Sequence, residues 1–226
     1  MSATKKTGAF LILVLFTFST PGCLEDLVDE TELYQGETST VTLEIVHGES
    51  AANATLTYMI EIELYHDAAP NHADSFRKHA QQGNYDNVTF HRIIDDFMIQ
   101  GGDFENNDGT GGHAAQWYGY CDGSEEAAEC SSPSSYTLPD EAENGLRHLP
   151  CMISMAKTSL PNTGGSQFFI MPDDITEHEW LNEVHTVFGK VISGCEHITT
   201  LSQVQTDSNN KPVMPVIITS TTVSND

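Results

Sequence analysis

The segment FHRIIDDFMIQGGD, which begins at position 90, concentrates side chains that could act on a peptide. It holds Arg92 and Gln100, with the large apolar side chains of Phe97 and Met98 between them. Alternation of apolar and polar residues around Arg92 predicts a strand, and Arg92 and Gln100 could then face one groove. A fixed cation with a planar fork of donors beside an apolar wall suits a substrate that is apolar at one end and polar at its amide. A prolyl peptide bond is such a substrate.

Rotation about a prolyl bond needs no nucleophile, metal or cofactor. The barrier of about 18–20 kcal/mol arises from the partial double bond of the amide. Twisting removes the resonance and leaves the proline nitrogen pyramidal and basic. A donor aimed at that nitrogen stabilises the twisted form more than the planar one, which is the condition for catalysis.

Four segments in this chain resemble, in the same order, the motifs of the cyclophilins, the cyclosporin-binding peptidyl-prolyl isomerases. The segment at 90–103 resembles the core motif of the family. The others are GTGG at 109–112, SMA at 154–156 followed by PNTGGSQFFI at 161–170, and EWL at 179–181 followed by HTVFGKV at 185–191. The resemblance extends from about residue 59 to about residue 222.

The resemblance implies a role for each matching residue. Arg92, Gln100 and Phe97 match the catalytic group, in which Arg92 is the donor and Gln100 orients it and contacts the substrate backbone. The matching substrate-binding residues are His91, Met98, Ala156, Gln167, Phe169, Trp180, Leu181 and His185. Lys157 departs from the family, which often has Asn there, and the stretch after Ala156 has one extra residue.

The expected partners are proline-containing polypeptides, and the resemblance also implies binding of cyclosporin-like cyclic peptides. We expect a monomer that needs no cofactor. The alternative is a cyclophilin barrel that binds prolyl segments without useful turnover, although pure binding would need only the apolar pocket and not Arg92. A metal site is not expected, because five cysteines and ten histidines form no CxxC or HxxxH spacing.

The N-terminus predicts export. Lys5 and Lys6 precede an apolar run at 9–18 that is too short to span a bilayer stably. Residues 1–22 therefore read as a signal peptide, and Cys23 resembles a lipidated lipoprotein N-terminus on the outer face of the cytoplasmic membrane. Ordinary secretion without a lipid is the alternative. Residues 23–40 are predicted to be an acidic tether, and residues 41–226 the isomerase domain.

The composition is strongly acidic, with 33 Asp and Glu against 9 Lys and Arg and a net charge of −24. Such a field repels nucleic acid and anionic lipid headgroups. We therefore expect no nucleic-acid partner, and membrane contact through the lipid anchor only. The charge is also compatible with a salty environment, in which screening relieves self-repulsion.

Export permits disulfides among the remaining cysteines. Cys121 and Cys130 lie in one polar loop and are the predicted pair. Cys151 and Cys195 are predicted to be small buried apolar residues without a bond.

The predicted fold is mainly β, a closed antiparallel eight-stranded barrel of the cyclophilin type with two flanking helices. Strands are predicted at 41–46, 55–64, 88–94, 97–100, 152–155, 167–170, 187–192 and 216–222. Helices are predicted at 69–82, with Asp67 as its cap, and at 196–202. His72 and His79 are predicted to be solvated positions of the first helix.

A polar loop at 113–136 is predicted to be inserted in the domain. Its aromatic residues Trp117, Tyr118 and Tyr120 allow two interpretations. They line an extended substrate groove, or they pack the loop onto the barrel.

Overall fold

A computed structural model describes residues 34–54, 56–125 and 130–224 of the chain. Within these residues, nine strands form one curled antiparallel sheet, two more form a small separate sheet, and there are two α-helices. This confirms the predicted mainly-β fold with two helices. The strands are β1 (Thr38–His47), β2 (Thr57–Tyr65), β3 (Val88–Thr89), β4 (Arg92–Ile94), β5 (Met98–Gly101), β6 (Tyr120–Cys121), β7 (Tyr136–Thr137), β8 (Met152–Met155), β9 (Phe168–Ile170), β10 (Val187–Ser193) and β11 (Val216–Ser224), and the helices are α1 (Pro70–Gln81) and α2 (Cys195–Ser202).

The large sheet is open, with the strand order β3-β11-β1-β2-β10-β8-β9-β5-β4. Its two edge strands, β3 and β4, are consecutive in the chain and were predicted as one strand. The chain leaves the sheet between them. Phe90 N still donates to Val216 O at 2.9 Å, but Ile93 N donates to Asn210 O, in a loop, at 2.8 Å. The predicted closed eight-stranded barrel is therefore not confirmed.

The core lies inside the curl of the sheet. Alternate residues of β1 and β2 point inward, as the sequence pattern predicted. Phe76 from α1 contacts Phe168 of β9 edge-on and Phe188 of β10 at a tilt, with ring centroids 5.1 and 5.5 Å apart. The fully buried side chains of the two long strands are Val41, Leu43, Ile45, Ile60, Ile62 and Leu64.

Helix α1 is not capped by Asp67, contrary to the prediction. The Asp67 carboxylate accepts the N–H of Glu37 at 2.8 Å instead. The first turn is capped from a distant loop, because the carboxylate of Glu141 accepts the backbone N–H groups of Asn71 and His72, each at 3.1 Å. A cap from 70 residues away leaves no local sequence signal.

His72 and His79 are not solvated, and each is only 1% exposed. His72 Nδ1 lies 2.7 Å from Glu141 Oε2. His79 Nε2 donates to the carbonyl of His113 at 2.9 Å, so both histidines face loops that cover the helix. Burial disfavours the charged imidazole and lowers the pKa of His79 to about 4.

The described residues contain two disulfides. Cys121 and Cys130 are bonded as predicted. Cys151 and Cys195 are also bonded, so the prediction that they are unbonded apolar residues was wrong. The second bond joins the start of β8 to the start of α2 across 44 positions, a separation that carries no local signal. In the chain-entropy model, closing a loop of that length stabilises the folded protein by about 4 kcal/mol. Closing the shorter Cys121–Cys130 loop stabilises it by about 2–3 kcal/mol.

The inserted loop packs onto the domain through part of its aromatic set. Tyr118 Oη donates to Asp74 of α1 at 2.7 Å, and the Trp117 ring meets Tyr136 at 5.8 Å. Tyr120 lies in β6, which pairs with β7. The Tyr118 contact favours packing over the groove interpretation for that residue, whereas the Trp117 ring meets a residue of the same loop and is 36% exposed.

The folded domain begins before residue 41, where it was predicted to start. The Tyr34 ring stacks on Tyr65 at 4.0 Å, and Thr38 already pairs with Tyr65 across β1 and β2. The predicted signal peptide, Cys23 and most of the predicted tether lie outside the described residues. Among the residues that are described, no helix is long and apolar enough to cross a membrane.

Candidate active site

A row of side chains crosses three neighbouring strands at one end of the sheet. The register pairs Arg92 of β4 with Gln100 of β5, and Gln100 with Phe169 of β9. A tight turn joins β4 to β5, with Asp96 in the left-handed region at φ 56° and Phe97 N donating to Ile94 O at 3.2 Å. The short β4–β5 hairpin thus places the cation and the amide side by side, and β9 places the Phe169 ring next to the amide.

Arg92 is a half-buried cation held by polar and aromatic neighbours. Its Nη1 donates to Gln100 Oε1 at 3.2 Å and lies 3.8 Å from Met98 Sδ. Its guanidinium carbon lies 5.9 Å from the Phe97 ring centroid, within the range of a cation–π contact. Within the described part of the chain, Arg77, Lys78, Arg147 and Lys157 form salt bridges with carboxylates, but Arg92 forms none. Burial lowers its pKa from the ordinary value, but an arginine remains charged.

An apolar pocket of about 190 Å³ opens beside Arg92. Met98, Phe169 and Leu181 form its buried walls, each at most 5% exposed. Phe97 and Trp180 close the outer side, with ring centroids 5.5 Å apart, although Trp180 itself is 65% exposed. The complete lining is Arg92, Phe97, Met98, Gln100, Ala156, Lys157, Phe169, Trp180, Leu181 and His185.

His185 and Lys157 complete the opposite rim. His185 Nδ1 lies 2.9 Å from the Met155 carbonyl, and its ring meets Phe169 edge-on at 5.6 Å. Burial lowers the pKa of His185 below its ordinary value, which favours the neutral ring at neutral pH. The ammonium of Lys157 donates to Leu160 O at 3.3 Å and lies 3.4 Å from Asp140 Oδ2. Its charge is therefore directed away from the pocket, and its stem forms part of the wall.

A second cavity of about 520 Å³ adjoins the pocket. The two share Gln100, Ala156 and Lys157, so together they form one continuous groove. The inserted loop contributes to the far wall of the second cavity through Tyr136 and Asp122. A peptide bound in the pocket thus has room to extend along the surface.

A family model for the cyclophilin type peptidyl-prolyl cis-trans isomerases matches residues 53–223. The chain belongs to the cyclophilin family. Peptidyl-prolyl cis-trans isomerase-like 1 of Rhizopus delemar is 40% identical over 152 residues, which cover 67% of this chain and 79% of that protein. Peptidyl-prolyl cis-trans isomerase 11 of Caenorhabditis elegans is 36% identical over 184 residues, covering 77% of this chain and 87% of that protein.

Larger relatives match this cyclophilin domain over a part of their length. Peptidyl-prolyl cis-trans isomerase 9 of Schizosaccharomyces pombe is 38% identical over 175 residues, which are 77% of this chain but 25% of that protein. The chain thus spans about a quarter of the length of such relatives. A solved cyclophilin type peptidyl-prolyl cis-trans isomerase from Cryptosporidium parvum superposes with a TM-score of 0.66 at 26% identity, over 84% of this chain and 99% of that one.

The cyclophilin pocket gathers most of the predicted site residues, but not all of them. His91 and Gln167 do not line it. His91 is only 8% exposed, and both its ring nitrogens are buried without a hydrogen-bond partner. Burial lowers the pKa of His91, so it serves better as packing than as a charged group. Gln167 lines the second cavity instead. The roles assigned to the individual residues remain predictions.

A buried polar group beneath the pocket was missed from the sequence. His148 is 0% exposed and its ring stacks on Phe169 at 5.9 Å. Its Nε2 lies 2.9 Å from Ser154 Oγ and its Nδ1 lies 3.0 Å from Asn182 Oδ1, next to the wall residue Leu181. Burial lowers the pKa of His148 to about 4. A lone histidine outside the family motifs gives no signal of this position.

The described residues hold no group of three or more His, Cys, Asp or Glu arranged to bind a metal. Arg92 and Gln100 supply polar side-chain atoms at the rim of the pocket. This set can donate hydrogen bonds and fix a peptide, and it contains no pair of a nucleophile and a base.

Proposed function

We propose that this domain catalyses cis–trans isomerisation of prolyl peptide bonds. The observation that carries the proposal is the Arg92 guanidinium, which is held by Gln100 at the rim of an apolar pocket. The pocket fits a proline ring, and the Arg92 donor faces the position that the rotating amide of the substrate would occupy. Because the donor gains strength as the proline nitrogen becomes basic, it stabilises the twisted amide over the planar one.

The pocket is expected to hold the ring while the chain before it rotates. Met98, Phe169 and Leu181 are already buried, so the pocket is preformed and little ordering is needed on binding. Gln100 and the backbone at Ala156 would then bind the substrate main chain along the second cavity. Cyclosporin-like cyclic peptides would occupy the same groove.

We test this function with wild type and Arg92→Ala. A single preorganised donor is typically worth a factor of roughly 10²–10³, so kcat/KM should fall by about that much. Peptide affinity should change far less, because the apolar walls stay. Isomerisation is measured by a protease-coupled assay across salt concentrations, and affinity by titration with a prolyl peptide.

Arg77→Ala is the matched control, since Arg77 is a similarly half-buried arginine that pairs with Asp74 on α1, outside the pocket. Undiminished activity in folded Arg92→Ala would refute the mechanism. A wild type that binds prolyl peptides but never isomerises them would favour the binding-module alternative.

We further propose that the protein is exported, lipid-anchored through Cys23 on the outer face of the cytoplasmic membrane, and monomeric. There it would assist the folding of exported proteins, in which prolyl isomerisation can limit the rate. The predicted N-terminal signal and the two disulfides support this location, because disulfides persist in oxidising compartments.

The location is tested by fractionating cells that express wild type or Cys23→Ser. The wild type should stay with the membrane and the variant should be released. Equal release of both proteins would show that Cys23 anchors nothing. Sedimentation of the released variant would reveal its oligomeric state.

A further inference from the structure

Asp103 is a fully buried carboxylate two residues after the end of β5, the strand that carries Gln100. Both of its oxygens are used by the backbone of the next turn, the 104–112 loop. The shortest bonds are from Asn106 N to Oδ1 at 2.9 Å and from Gly109 N to Oδ2 at 2.8 Å. Further N–H groups donate to the carboxylate at 3.1–3.2 Å, from Glu105, Asp108 and Gly111.

The shape of this loop depends on the carboxylate. Five N–H groups point at one residue, and without it they would lose their shared acceptor within the protein. Burial alone would raise the pKa of Asp103, but the backbone donors outweigh it and hold the pKa below its ordinary value. Gly111 has no room for a side chain, since a Cβ there would stand 2.7 Å from Asp103 Oδ1.

The same loop holds the amide of Gln167 from its other side. Gln167 Nε2 donates to Gly109 O at 3.0 Å and to Gly111 O at 2.8 Å. Gly109 and Gly111 thus give their N–H groups to Asp103 and their carbonyls to Gln167. A change at the Asp103 carboxylate would therefore shift the carbonyls that bind the Gln167 amide.

The hydrogen bonds continue to Arg92 with a single possible polarity. Gln167 Oε1 accepts from Gln100 Nε2 at 3.0 Å, and Gln100 Oε1 accepts from Arg92 Nη1 at 3.2 Å. The loop carbonyls can only accept and a guanidinium can only donate. Between the loop carbonyls and the guanidinium, the amides of Gln167 and Gln100 can satisfy every hydrogen bond in one orientation only. The loop therefore determines which neighbour the oxygen and the nitrogen of each amide face.

We infer that Asp103 is a positioning residue for Arg92, acting through the 104–112 loop and the amide pair Gln167–Gln100. The inference rests on the proposed isomerase function for its kinetic consequence. Asp103 touches no substrate itself. It fixes the loop carbonyls, which orient the amide pair, which aims the guanidinium at the rim of the pocket.

The test is Asp103→Asn, which keeps the size of the side chain but replaces one acceptor oxygen with a donor. Misaligned catalytic groups lose rate steeply, so kcat should fall about tenfold or more while peptide affinity stays within about twofold. The Arg92 Nε–H signal in a ¹⁵N–¹H spectrum should move or broaden. Asp207→Asn is the matched control, because Asp207 similarly accepts the N–H groups of Asn209 and Lys211 in another turn. It should leave kcat and the Arg92 signal unchanged.

A double-mutant cycle tests the route. Gln167→Met cuts the amide pair from the loop, so adding Asp103→Asn to it should lower kcat no further. If the two substitutions lower kcat independently, so that the double variant loses the product of the two single factors, the inference is overturned. A folded Asp103→Asn protein with wild-type kcat and an unchanged Arg92 signal would also overturn it. If Asp103→Asn does not fold, Gln167→Glu places a carboxylate oxygen against the loop carbonyls while Asp103 is kept. A wild-type kcat in that variant would equally overturn the inference.

The two proposals fail in different ways. If the wild type has no isomerase activity but Asp103→Asn still changes the Arg92 signal, the proposed function is refuted and the positioning role stands. An active wild type whose kcat and Arg92 signal ignore Asp103→Asn would do the reverse.

Discussion

Arg92 illustrates how one residue gains its chemistry from its surroundings. In a chain with 33 acidic residues an arginine would ordinarily be neutralised by a carboxylate. Here its neighbours are an amide, a thioether and an aromatic ring, so its donors stay available to a substrate. Lys157 shows the opposite outcome, because its ammonium lies against Asp140 and only its stem reaches the pocket.

At the residue scale, Phe169→Ala should weaken peptide binding more than it slows the bound substrate. The ring is 5% exposed and forms a wall of the pocket, so its loss enlarges the cavity without moving Arg92. Peptide affinity and kcat should be measured separately by titration and by the coupled assay. Unfolding free energy should also fall by about 3–5 kcal/mol, as for other buried phenylalanines.

Phe169→Leu is the matched variant, since it keeps most of the apolar volume. It should recover most of the affinity. A Phe169→Ala protein with wild-type affinity would show that the ring does not contact the substrate.

At the scale of elements, single carboxylates join the helix start and the loops, a half-buried one at Glu141 and a fully buried one at Asp103. Glu141 caps α1 and pairs with His72, and Asp103 gathers the 104–112 loop. Both act across chain segments that have no regular structure of their own. The disulfide from Cys151 to Cys195 acts in the same way, tying β8 to α2.

Removal of the Glu141 cap should be costly. In Glu141→Ala, the N–H groups of Asn71 and His72 lose their acceptor and the buried His72 ring loses its partner. Helix caps contribute about 1 kcal/mol and unsatisfied buried groups cost about 1–3 kcal/mol, so unfolding free energy should fall by about 2–4 kcal/mol.

Urea titration followed by circular dichroism measures this change. Glu143→Ala, at an exposed position two residues away, should change the unfolding free energy by less than about 0.5 kcal/mol. Similar losses in both variants would mean that the cap has no special role.

For the whole molecule, acid should destabilise the fold through its buried histidines. His79 and His148 have pKa values lowered to about 4 from the ordinary 6.5. Between about pH 6.5 and about pH 4, these histidines are protonated in the unfolded chain but neutral in the folded protein. The free energy of unfolding therefore falls as the pH falls through that window. From pH 7 to pH 5, linkage gives a loss of about 2 kcal/mol for each group.

The measurement is the unfolding free energy by urea titration at both pH values. His79→Gln should remove about half of the pH-dependent loss from this pair, and His197→Gln, at a partly exposed histidine, is the control. Stability that is flat or rises from pH 7 to pH 5 would contradict the assignment.

The sequence by itself determined the family, the inward faces of β1 and β2, the position of α1 and most residues of the pocket. These features are local, because alternation and helical periodicity state which side chains share a face, and the motifs place Arg92 and Gln100 a short hairpin apart. Cys121 and Cys130 could be paired for the same reason, since one loop contains both.

Only the tertiary structure decided which distant groups meet. Burial of His72 and His79, the Glu141 cap and the Cys151–Cys195 bond each join segments far apart in the chain, and each was missed or mispredicted. The open sheet likewise results from where Phe90 and Ile93 find acceptors for their N–H groups. A periodic pattern fixes the faces of an element, but a buried polar group is satisfied by whichever partner the folded chain brings within hydrogen-bond reach.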